Sequence, residues 1–243
     1  MFALWISRRF RDGFPLELKN SYGRDKRNLS RFGVISLAAC RQCNNTWMSR
    51  LESAAKPLIS AALFGETQTW DVDEQLTVAT WAFKTALMLD RSNQAGWKVP
   101  NDHFEFLYTE RCPPDSSQIA IARYRPDTGQ EERAVSAGIT KGPPSHEDGY
   151  RICFSVGQLV FSVHGYRGSG AGFNVQEYVG LPSGLVVAFW NTLQTLWPRA
   201  ARTLSWPHPK GLALNNDSLD LLTDDPLMEP LLFDGFPQRR GAI

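Results

Sequence analysis

The sharpest chemical feature of this 243-residue chain is Cys40-Arg41-Gln42-Cys43. Two thiols separated by two residues at a strand-to-helix junction form a knuckle whose turn aims both sulfurs at one ion. Structural zinc takes four ligands, so Cys40 and Cys43 supply half a site. The remaining cysteines, Cys112 and Cys153, are single residues far along the chain and read as buried apolar thiols. Redox chemistry is also open to the pair, although a redox dithiol usually opens a helix within a βαβ pattern, which the sequence lacks. The histidines at 103, 146, 164 and 208 are scattered. His164 ends a predicted strand, where it faces a pocket, lies on the surface or is held by a hydrogen bond; His208 lies between two prolines and reads as turn chemistry. Gly168-Ser169-Gly170-Ala171-Gly172 lacks the Lys-Ser/Thr ending of a phosphate loop and reads as plain loop. Glu131-Glu132 reads as a solvated corner, and the tryptophans 47, 81, 197 and 206 as core.

Charge separates the first fifty residues from the rest. They hold ten Lys/Arg against three acids, a balance of +7, whereas the remainder holds 16 basic and 22 acidic residues, a balance of −6. Such asymmetry points to a polyanionic partner for the N-terminal part. The expected phosphate contacts are Arg24, Lys26, Arg27, Arg31 and Arg41. A solvated basic loop is the alternative. No apolar run approaches the roughly 20 residues needed to span a bilayer. At the N-terminus the charges follow the apolar stretch, the reverse of a secretory signal. The expectation is a cytoplasmic protein without a membrane partner.

The elements that must position the thiols follow from periodicity. Residues 3–10 read as a short helix end and the basic stretch 11–30 as loop. Gly33 to Ala39 is a predicted strand running into Cys40, and Asn44 or Asn45 caps the helix that follows. Trp47, Leu51, Ala54, Ala55, Leu58 and Ala62 recur at helical spacing and give it a buried face. Pro57 predicts a kink or restart, and Gly65 the end. A second helix begins at Asp73 and spans Glu74 to Asp90, apolar on nearly every face and so buried. Asn101 caps a third through Glu110. The texture then turns to strands: Gln118–Arg125, Arg133–Thr140, and a hairpin of Arg151–Val156 with Leu159–His164 about Gly157-Gln158. Residues 165–172 read as loop, Leu185–Leu196 as either helix or strand with helix preferred, and a last short helix falls near Ser218–Thr223. Helices first and strands afterwards make the fold class α+β. The predicted division is an N-terminal knuckle module over 1–66 and an α+β domain over 67–243.

The phrase Cys-x-x-Cys-Asn-Asn-x-Trp-Met-Ser over residues 40–49, followed by Leu51-Glu52, resembles the second knuckle of the HNH-endonuclease-related zinc proteins. Lys56-Pro57-Leu58, the Ala79–Ala86 helix, Pro113-Pro114, Ile121–Tyr124, Leu196-Trp197-Pro198 and Leu204–Pro207 are similar to that group as well. The likeness covers roughly residues 2–223 and is most specific at the knuckle. It implies a partial ββα-metal-like module, structural zinc and a divalent metal such as magnesium in an active form. Members begin with a first Cys-x-x-Cys and a Glu-His pair whose histidine acts as general base. Phe2 to Ile6 matches the segment just after that pair, so the resemblance implies a start a few residues late. Asn44 falls where the last polar member of the motif lies. The resulting expectation is an HNH-endonuclease-like, DNA-binding protein that is catalytically incomplete in this form. The alternative is a non-catalytic module that binds a protein partner and keeps a vestigial knuckle.

Overall fold

In the computed structural model the described residues are 16–20, 39–92, 99–129, 135–141, 149–166, 192–198 and 202–223. The predicted helix at 3–10, most of the Gly33–Ala39 strand, the pair Glu131-Glu132 and the loop 168–172 lie outside them. Strand β1 (Leu16–Asn20) lies where the sequence reading placed only loop. Its five residues alternate apolar and charged up to Lys19, too short a run to stand out, and they gain order by pairing in parallel with β4 (Val135–Lys141).

The Cys40–Cys43 segment opens α1 (Arg41–Cys43), which passes through a π-helical turn at Asn44–Met48 into α2 (Ser49–Ala62). Cys40, not Asn44 or Asn45, is the cap: its sulfur accepts the Cys43 N–H at 3.1 Å, and its carbonyl accepts the Asn44 N–H at 3.0 Å. A thiol that can cap starts the helix four residues earlier than Asn44 would. The π turn shifts the register, so Met48, Ala55, Ile59 and Ala62 are buried while Ala54 is exposed. Pro57 neither restarts nor ends α2. Both Pro57 and Ser53 are exposed, so the Ser53 carbonyl that loses its donor is open to water.

After Gly65 (φ 75°) and β2 (Gln68–Trp70) comes α3 (Val72–Ser92), the buried central helix that its composition predicts. Asp71 caps it two residues before the expected start: its carboxylate accepts the N–H groups of Asp73 and Glu74 at 2.9 and 2.8 Å, and Glu74 accepts the Asp71 N–H at 2.9 Å. Helix α4 (Asn101–Glu110) has the predicted bounds, but Pro100 takes the capping position and Asn101 is the first helical residue.

β3 (Ser117–Arg123), β5 (Gly149–Val156), β6 (Leu159–Tyr166) and β7 (Gln194–Trp197) complete a six-stranded sheet ordered β1-β4-β5-β6-β3-β7. All neighbours except β1 and β4 are antiparallel. The β5–β6 hairpin turns on Gly157 (φ 55°), as its two-residue loop predicts. Gly165 and Tyr166 belong to β6 rather than to a loop. Residues 194–196, read as helix, form a strand on the free edge of β3, because a short apolar run takes whichever form its partner offers. β8 (Leu204–Trp206) pairs with β2, and α5 (Asn216–Thr223) lies against β4 and β5.

One hydrophobic cluster joins α2, α3 and one face of the sheet. Trp81 packs at 5.6 Å from Phe161 and 6.3 Å from Phe154, with Ile59, Ile121, Ile152 and Val163 around them. Each such side chain contributes about 1.5–3 kcal/mol by leaving water. The architecture is α+β, and among the described residues no helix is long and apolar enough to cross a membrane.

Candidate metal centre

The two sulfurs lie 2.9 Å apart, with Cys40 exposed and Cys43 half-buried. Around a zinc ion with bonds of about 2.3 Å, tetrahedral geometry separates two thiolates by roughly 3.8 Å. A modest rotation of one side chain therefore opens the pair to a metal. Their hydrogen bond favours the ionised form of Cys40, whose thiol is held below its ordinary value. The same bond, together with burial, pushes the Cys43 thiol up, while the indole of Trp47 and the charge of Arg111 draw it down. Two thiols that converge and reach solvent fit a soft metal ion such as zinc. Among the described residues no group of three or more His, Cys, Asp or Glu gathers around a common point. Among the described residues the pair therefore offers two candidate ligands and no third.

Arg111 and Tyr108 are neighbours that the sequence does not announce. The Arg111 guanidinium stacks 4.4 Å from the Trp47 ring centre and 4.6 Å from that of Tyr108. Arg111 has φ 60°, and its N–H closes α4 on the Leu107 carbonyl at 3.2 Å. The position just past a helix is where glycine is common, and nothing in Tyr108-Thr109-Glu110-Arg111 marks the arginine as a neighbour of a cysteine 68 positions earlier.

Behind the pair, Glu52 ties α2 to α3. One carboxylate oxygen is paired with the Lys84 ammonium and the other accepts the Trp81 indole N–H at 2.9 Å. Lys84 is 4% exposed, so the pair fixes the knuckle helix from the inner side. Asn44 and Arg41 are exposed beside the thiols. Arg24, Lys26, Arg27 and Arg31 lie outside the described residues.

Two other polar clusters are internal. His164 is buried and hydrogen-bonded to Ser162 at 2.8 Å, with Ser162 in turn 3.4 Å from Cys153. Burial and the Arg151 charge lower its pKa to about 3, so the ring is neutral. His103 ties α4 to β5 and to the turn before β3: Nδ1 lies 2.8 Å from the Tyr150 hydroxyl and Nε2 3.1 Å from Ser116. His208 accepts the Lys210 N–H at 3.1 Å, the turn role its flanking prolines suggest. Cys153 is buried as expected, whereas Cys112 is half-exposed; of the four tryptophans read as core, Trp81, Trp197 and Trp206 are buried and Trp47 only half so. Comparisons with protein-family models, with curated proteins and with solved structures found no match to this chain.

Proposed function

We propose that the chain is an HNH-endonuclease-like nucleic-acid-binding protein in which Cys40 and Cys43 hold half of a structural zinc site. The observation that carries the reading is the convergence of two accessible sulfurs at the head of a helix anchored by Glu52. The motif around them, Cys-x-x-Cys-Asn-Asn-x-Trp-Met-Ser, is the part that resembles the family. Zinc would tie the strand end to the helix start and so order the knuckle. The basic N-terminal part, from Arg24 to Arg41, would neutralise phosphates, with Arg41 exposed one residue from the first thiol.

Hydrolysis would further need a general base and a divalent metal such as magnesium. Among the described residues no histidine stands at the knuckle, since His103 and His164 are committed to Tyr150, Ser116 and Ser162. Asn44 alone orients a ligand but takes no proton. Binding, not cleavage, is therefore the activity proposed for these residues. A protein-binding role is the second reading, favoured by the exposed rings of Phe64 and Phe106.

The test is the zinc content of the purified 243-residue protein beside Cys43→Ala. Stoichiometric zinc lost in the variant supports the centre; a wild type without zinc removes it and leaves an orphan knuckle.

A further inference from the structure

We propose that Cys40 and Cys43 form a redox-active dithiol, which exchanges with external disulfides and closes into a Cys40–Cys43 disulfide. The inference goes beyond the zinc reading and does not need it. A disulfide takes two sulfurs, whereas structural zinc takes four ligands. Among the described residues the pair has its two thiols and no third ligand.

The backbone already suits the bond. Cys40 and Cys43 stand one helical turn apart, closed by the Asn44 N–H on the Cys40 carbonyl at 3.0 Å. Such a turn separates α-carbons by about 5 Å, inside the roughly 4.4–6.8 Å that disulfides span. The sulfurs face each other at 2.9 Å, so closing to about 2.0 Å needs side-chain rotation alone. Glu52 anchors α2 to α3 just beyond the pair, through bonds to Trp81 and Lys84 that neither sulfur enters.

The two thiols differ in the way that exchange requires. Cys40 is exposed and can meet a disulfide from solvent. Cys43 is half-buried, packed with Trp47 and Leu51 against the core, and the sulfur within its reach is that of Cys40. Cys40 therefore attacks one sulfur of a low-molecular-weight disulfide. That S–S bond breaks, and the first half leaves as a thiol carrying the proton that Cys40 lost. Cys43 then attacks the Cys40 sulfur in the mixed disulfide and releases the second half with the second proton. Two thiols of the chain are oxidised and one external disulfide is reduced. Both sulfurs are then closed to a metal until a reductant reopens the bond.

The experiment treats the full chain, reduced and stripped of metal by a chelator, with oxidised glutathione; remaining thiols are alkylated and mapped by mass spectrometry. The wild type should lose the Cys40 and Cys43 thiols together, as one Cys40–Cys43 disulfide that dithiothreitol reopens. Cys43→Ser should stop at a glutathione adduct on Cys40, and Cys40→Ser should form its adduct on Cys43 more slowly. A wild type whose two thiols stay alkylatable, or whose Cys40 keeps the glutathione, overturns the inference. Equal adduct rates in the two variants overturn Cys40 as the attacking residue. Zinc content before stripping keeps the two readings apart. A disulfide in a protein purified without zinc supports the dithiol and removes the metal centre; bound zinc with no disulfide after stripping does the reverse. Neither zinc nor disulfide overturns both.

Discussion

Lys84 and Glu52 show what a charge inside this molecule is for. The buried Lys84 ammonium is paired with one Glu52 carboxylate oxygen, and the Trp81 indole donates to the other. Replacing one partner strands the other. Lys84→Met should cost about 2–3 kcal/mol, the lower end of the usual penalty because Glu52 keeps partial solvent access. Glu52→Gln/Lys84→Met should regain most of it, and urea unfolding midpoints of the three proteins decide the point. His164 makes a second prediction at this scale. Its folded pKa of about 3 lies below the ordinary histidine value, so the unfolded chain binds a proton that the folded chain refuses. Stability from this residue is complete above about pH 6.5 and is lost as pH falls toward 3, at about 1.4 kcal/mol per pH unit. Denaturant titrations at pH 7, 6 and 5 should show a steeper loss in wild type than in His164→Asn; parallel slopes would contradict the assignment. The groups facing His164 include Ser162 on its own strand, Gln118 opposite it on β3, and Arg151 on β5, which adds to the penalty for a second positive charge.

At the scale of elements, glycines mark where backbone must pass close to another segment. Gly65, in the turn that follows α2, has φ 75°, and a β-carbon there would stand 2.3 Å from the Gln158 amide oxygen, which accepts the Arg123 Nε–H at 2.9 Å. Gly65→Ala should therefore cost about 2–3 kcal/mol, combining left-handed strain with a lost hydrogen bond. Gly129 has φ 87° with nothing within 4 Å of an added β-carbon, so Gly129→Ala should cost only about 1 kcal/mol. The two denaturation midpoints compared in one buffer test the separation. The helices α2, α3 and α4 were legible because their apolar spacing and their breakers, Gly65 and Pro113-Pro114, are local. The start of α1 was not, because a cysteine thiol took the capping place that asparagine usually fills. Nor was β7, whose four residues become a strand by pairing with β3.

For the whole molecule the pertinent quantity is the charge imbalance, +7 over residues 1–50 against −6 over the rest. A nucleic acid held by the N-terminal part should be held electrostatically, with affinity falling steeply as salt rises. Arg24→Ala/Lys26→Ala/Arg27→Ala should weaken binding to duplex DNA. It should also reduce the slope of log affinity against log salt by about 3 if each side chain neutralises one phosphate. Equal binding by wild type and variant at two salt concentrations would end the phosphate-contact proposal.

Sequence alone determined the α+β class, the central buried helix, the β5–β6 hairpin and the thiol pair. Each is written in neighbouring residues, as a period of 3.6 or 2, a turn residue, or a fixed spacing. Tertiary structure decided the rest. It paired β1 in parallel with β4, buried Lys84 against Glu52, and brought Arg111 onto Trp47 across 64 positions of chain. Those contacts depend on how the packed helices and the sheet meet, and no local pattern encodes a distance between segments so far apart.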